Sequence, residues 1–167
     1  MVFEIEPHRG IGPVCLGMTR AEVTATMAAL GGGPPRARFE STDCFFNNSF
    51  QVSFTSDGVA NFIEVANDPD HVYQFEGRDV FDLPAPELVA LIQEFDNPDP
   101  QLSRPPGELL FPNLILTLWE PAEDYDRKGT AWSWFLICPN CDKRHDPKNR
   151  VLELGYQGEG YWKTEQC

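Results

Sequence analysis

Cys138-Pro139-Asn140-Cys141 followed by His145 spells C-x2-C-x3-H. A C-x2-C turn presents two thiolates from one knuckle, and a structural zinc takes four such soft ligands at tetrahedral corners. His145 and Cys167 could complete the set; one structural zinc is the metal hypothesis this motif offers, against an expectation of no cofactor. A zinc ribbon ordinarily carries a second paired knuckle, and the sequence has none. The plainer reading is a hairpin turn with two reduced cysteines, or a C-x2-C disulfide formed on oxidation. A redox motif would open a helix, whereas this one ends an apolar, strand-like run over 131–138.

Carboxylates are abundant, yet no pair of them is marked out as an acid–base dyad. Glu120, Glu123, Asp124 and Asp126 crowd one loop, beside Arg127 and Lys128. Such a run is ordinarily a solvated face; its functional reading is an electrostatic complement that steers a basic partner. His8 and His71 sit beside turn residues, with no neighbouring Ser or Cys nucleophile pattern. G-x-S-x-G, H-E-x-x-H, P-loop and dinucleotide fingerprints are absent from the sequence, and Gly31-Gly32-Gly33 follows a helix where a phosphate cradle would precede one. No catalytic set can be assembled, and the expectation is a protein that is not an enzyme.

The aromatic residues divide by region. Phe45, Phe46, Phe50, Phe54 and Phe62 fall in alternating segments and read as core. Trp119, Trp132, Trp134, Tyr156, Tyr161 and Trp162 gather in the second half. Trp132 and Trp134 alternate onto one strand face. They are either core or, if that face is solvated, anchors for a partner.

These residues sit in a chain of 167 with a formal net charge of −13. The negative balance disfavours nucleic acid and anionic membrane surfaces and leaves a basic protein partner or simple solubility. It is shared almost equally by residues 1–83 and 84–167, so no acidic tail explains it. Basic side chains gather at Lys143, Arg144, Lys148 and Arg150. No segment approaches the roughly 18 consecutive apolar residues of a membrane span. The acidic, alternating start does not read as a signal peptide, and five cysteines do not read as a secreted disulfide framework. A cytoplasmic location is expected.

The elements that must position these groups can be read from caps, periods and turns. Thr19 and Glu22 have capping-box spacing, and Val23, Met27 and Leu30 then share one face of a helix that the Gly31-Gly32-Gly33-Pro34-Pro35 run ends. Three strands are expected over 38–46, 50–54 and 59–65 as an antiparallel meander. A strand is expected at Val72, Tyr73 and Phe75, with a bend at Gly77. Pro84-Ala85-Pro86-Glu87 opens a second helix with Leu88, Leu91, Ile92 and Phe95 on one face. The loop over 97–107 holds four prolines and is followed by strands at 109–111, 113–119, 131–138 and 150–156. The expected fold is α+β, two tandem helix-plus-antiparallel-sheet units over 1–70 and 71–167, with the helices packed on one face of the sheet in one compact domain.

The stretch Ile11-Gly12-Pro13-Val14-Cys15-Leu16-Gly17-Met18-Thr19-Arg20-Ala21-Glu22-Val23 resembles the opening of small bacterial immunity proteins of contact-dependent and polymorphic toxin systems. Its Gly-Met-Thr-Arg core is also similar to the helix opening of β-lactamase inhibitor proteins, tandem α+β repeats whose saddle-shaped sheet grips an enzyme. Phe75-x-Gly77-x-x-Val80-Phe81 and Leu116-x-Leu118-Trp119-x-Pro121 resemble the later part of such immunity proteins. The sharp match covers about a tenth of the chain and is structural: Gly17 permits a tight turn, Met18 reaches the core and Thr19 caps. The resemblance implies a binding protein that neutralises a cognate toxin by covering its active site. It transfers no binding residue, so Glu120, Glu123, Asp124, Asp126, Trp132 and Trp134 are candidates from their own chemistry. The alternative is a small zinc-knuckle adaptor or structural protein built on Cys138, Cys141, His145 and Cys167.

Overall fold

Thr19 closes a reciprocal cap with Glu22: the Thr19 amide donates to Glu22 Oε2 at 2.8 Å and the Glu22 amide to Thr19 Oγ1 at 3.3 Å. Both free N–H groups are thereby satisfied, and helix α1 runs Arg20–Ala29 with Val23 and Met27 fully buried. The computed structural model describes residues 1–39, 41–103, 108–119 and 134–137. Two α-helices and twelve strands, the latter in two largely antiparallel sheets, make up the described part.

The larger sheet has seven strands. Helix α1 is followed by β4 (Arg36–Phe39), β5 (Thr42–Phe45), β6 (Phe50–Phe54) and β7 (Ala60–Ala66), each antiparallel to the next. Helix α2 (Ala85–Gln93) is followed by β10 (Glu108–Phe111), β11 (Leu116–Trp119) and β12 (Trp134–Ile137), likewise a meander. The two meanders meet through their last strands, β7 against β12, giving the order β10-β11-β12-β7-β6-β5-β4. The apolar run over 38–46 is thus divided between β4 and β5, and β11 begins only at Leu116, after a turn over 112–115.

The smaller sheet has order β3-β2-β1-β8-β9, built from β1 (Val2–Glu6), β2 (Gly10–Ile11), β3 (Val14–Cys15), β8 (Val72–Phe75) and β9 (Arg78–Asp79). Its centre is a parallel pair, with Val2 beside Val72, Phe3 beside Tyr73 and Glu4 beside Gln74. Strands β8 and β9 are joined at Glu76 (φ 51) and Gly77 (φ 70), two successive left-handed residues of the kind a tight hairpin needs.

The sheets pack face to face. Phe50 of the larger sheet lies 5.9 Å from Phe3 and 6.4 Å from Tyr73 of the smaller, ring centre to ring centre. Phe45, Val52, Ile63, Val65, Leu116 and Leu118 share the face that carries Phe50, and they join one apolar cluster with Val23 and Met27 of α1 and Leu88 and Ile92 of α2. Helix α2 departs from its expected face at one point. It ends at Gln93, and a tight turn (Phe95 amide to Ile92 carbonyl, 3.0 Å) carries Phe95 off the apolar stripe to 51% exposure.

Candidate functional site

Of the candidate partner-binding and metal-ligating residues, Trp134 falls within the described strands. Backbone pairing sets it in register with Trp119 on one side and Ala66 on the other, and Trp119 stands opposite Glu108. Glu120, Glu123, Asp124, Asp126 and Trp132 lie outside the described residues, as do Cys138, Cys141, His145 and Cys167. Among the described residues, no group of three or more His, Cys, Asp or Glu side chains is placed to hold a metal ion, and no helix is long and apolar enough to cross a membrane.

The structure brings other polar residues together, on the face of the larger sheet opposite Phe50. Alternation along β5, β6, β7 and β11 puts Thr42, Cys44, Gln51, Ser53, Glu64 and Thr117 there, and all are nearly inaccessible to solvent. They are matched across strands. Thr42 Oγ1 and Ser53 Oγ are 2.9 Å apart, Cys44 Sγ donates to Gln51 Oε1 at 3.5 Å, and Gln51 Nε2 donates to Glu64 Oε1 at 3.2 Å. Burying polar groups is tolerable only when they are paired. Here side chains at directly opposed positions pair with each other, including a thiol–amide–carboxylate chain three strands wide. The sequence signal was residue type: a solvated face ordinarily draws Lys, Arg and Glu, whereas these positions are mostly small or uncharged.

A second cluster joins the two sheets. Phe46, Asn47 and Asn48 are successive left-handed residues between β5 and β6, a conformation that asparagine tolerates and phenylalanine resists. The Ser49 hydroxyl, just after them, lies 2.6 Å from Asp68 Oδ2 and 2.8 Å from the Phe46 carbonyl. His71 Nδ1 is 3.2 Å from the same Asp68 oxygen, and its ring sits 4.2 Å from that of Phe46. Burial pushes the Asp68 carboxyl up most strongly of any single influence, but Ser49, the Asp70 amide and His71 together hold it below the ordinary range. The Tyr73 hydroxyl is fully buried beside this group, and burial pushes its pKa up. Serine, aspartate and histidine suggest a hydrolytic triad, but the order is wrong for one. A nucleophile needs the histidine between itself and the carboxylate; here Asp68 is the middle member. It ties the left-handed turn to the start of β8.

Two further carboxylates brace the frame. Asp43 receives both Arg20 Nε and Nη2 at 2.8 Å, and the same guanidinium lies 5.1 Å from the centre of the Phe54 ring. The buried Asp96, just past α2, accepts from the Asn97, Asn113 and Leu114 amides and from Asn113 Nδ2. The 112–115 turn, with Ile115 at φ 55, is thereby pinned, and His8 Nε2 meets the Asn113 carbonyl at 2.7 Å from the other side. A β-branched residue in that region is strained and persists only where the surroundings over-determine it.

Comparison of the chain with protein-family models, with curated proteins and with solved structures found no match in any of the three.

Proposed function

We propose that this chain is a cytoplasmic immunity protein, which binds a cognate bacterial toxin and neutralises it by covering the toxin's active site. The observation that carries the reading is the −13 charge, shared almost equally by residues 1–83 and 84–167 and not confined to a tail. Such a field speeds encounter with a basic protein and favours its cationic cleft. The resemblance of the segment over 11–23 to immunity-protein openings supports the class. So does the arrangement of helix then meander, twice, which fits two tandem units over 1–70 and 71–167.

In this reading Glu120, Glu123, Asp124 and Asp126 steer the toxin, and Trp132 and Trp134 anchor it. The polar clusters described above are spent inside the molecule: each carboxylate is bound to donors of its own chain, an arrangement suited to holding a shape. The test is co-expression. The C-terminal domain of the polypeptide encoded immediately upstream should arrest growth when produced alone, and growth should return when this chain is produced with it. A harmless neighbour, or arrest that this chain leaves untouched, contradicts the proposal.

A further inference from the structure

We infer that the outer face of the five-stranded sheet, centred on Val2 and Val72 and edged by Glu4, Glu6 and Asp79, is a docking surface for a basic protein. The inference rests on the immunity reading and locates part of the contact. Along β1, burial alternates strictly: Phe3 and Ile5 are turned into the core while Val2 and Glu4 face solvent. The parallel register sets Val72 beside Val2 and Gln74 beside Glu4, and antiparallel pairing sets Asp79 beside Gln74. Tyr73 and Phe75 take the buried side of β8, leaving Val72 and Gln74 half-buried on the outer one.

Two features set this face apart. Val2 is 59% exposed and Met1 beside it 52%, two of the three exposed large apolar side chains among the described residues. Val2 stands beside Val72 in the parallel register, which joins the two valines in one apolar patch. It is also well fixed, because the Met1 ammonium donates to the Asp70 carbonyl at 2.9 Å and the Val72 amide to the Met1 carbonyl at 2.8 Å.

The surrounding charge selects the partner. Glu4, Glu6 and Asp79 lie on the face, and exposed Asp70 and Glu76 lie in the turns at either end of β8. Arg9 pairs with Glu6 and offsets that charge, which leaves Glu4, Asp79, Asp70 and Glu76 against the exposed Arg78 as the net negative rim of the face. An apolar centre with a carboxylate rim fits lysine and arginine side chains, whose aliphatic stems cover the valines while their heads meet the acids. The inner faces of both sheets form the core, and Thr42, Cys44, Gln51, Ser53, Glu64 and Thr117 on the outer face of the seven-stranded sheet are buried.

The experiment measures affinity for the toxin domain encoded upstream, using the full chain and three exposed-site variants. Val2→Lys and Glu4→Lys should each weaken binding at least tenfold, with melting temperatures unchanged. Asp57→Lys, which makes the same change of charge as Glu4→Lys but in the β6–β7 turn, should weaken it less than threefold. In the complex, the methyl resonances of Val2 and Val72 should shift. Tight binding by all three variants, or equal weakening by all three, overturns the docking face while leaving the immunity reading intact. No binding by the unaltered chain overturns both.

Discussion

The outer faces of the two sheets invert the usual relation between polarity and exposure. On the seven-stranded sheet, Thr42, Gln51, Ser53 and Glu64 are polar and buried; on the five-stranded sheet, Val2 is apolar and open. Each inversion has a physical reason. The polar face can be buried because its side chains pair with one another across strands, so no donor must be surrendered without return. The apolar face can stay open because it is small and set among carboxylates, which keep like-charged copies of the chain apart. Polarity alone did not locate the exposed surface; the pairing partners did.

The largest effect should come from cutting what the two sheets share. Phe50→Ala removes the ring that packs on both Phe3 and Tyr73 and should lower stability by about 3–5 kcal/mol in urea unfolding. Arg20→Ala should cost about 2 kcal/mol, because it strips the bidentate donor from the buried Asp43 carboxylate while Arg20 itself is half-exposed. Gln51→Ala, which breaks the thiol–amide–carboxylate chain on the closed face, should cost about 1–2 kcal/mol. Val2→Ser on the open face should change stability by less than about 0.5 kcal/mol. If Val2→Ser destabilises as much as Gln51→Ala, the inversion is wrong.

Acid acts on the seam between the sheets. The Asp68 carboxyl is held below its ordinary value in the folded chain, so the folded state binds a proton there less readily than the unfolded state. Its contribution is fully present above the unfolded carboxyl pKa of about 4 and is lost as pH falls through the lower, folded value. Melting temperature followed from pH 6 to pH 2 should therefore fall less steeply for Asp68→Asn than for the unaltered chain. Equal slopes would remove Asp68 from the seam.

What was legible in the sequence was local. The α1 cap was readable because both partners, Thr19 and Glu22, lie within one turn, and the bend at Gly77 because its φ of 70 is one that glycine favours, though the hairpin it closes was not. Phe95 fitted the apolar period of α2 yet lies past its end, since nothing at Gln93–Glu94 announces a stop as the glycines after α1 do. The smaller sheet was illegible for two reasons. Several of its strands are two residues long, below any detectable period, and its central parallel pair joins residues about seventy positions apart. The polar cluster of Ser49, Asp68 and His71 was hidden for the same reason, because a turn after β5 meets a turn before β8 only in the folded chain. Of the candidate partner-binding residues, Trp134 has a register, and that register pairs it with Trp119, as strand alternation alone could not foretell.

One measurement bears most directly on the immunity reading: titration of the upstream-encoded toxin domain with the purified chain, following the toxin's own activity. Activity should fall linearly and reach its floor near one equivalent, as expected when one molecule covers one active site. Activity that persists in the presence of a tenfold excess would contradict it.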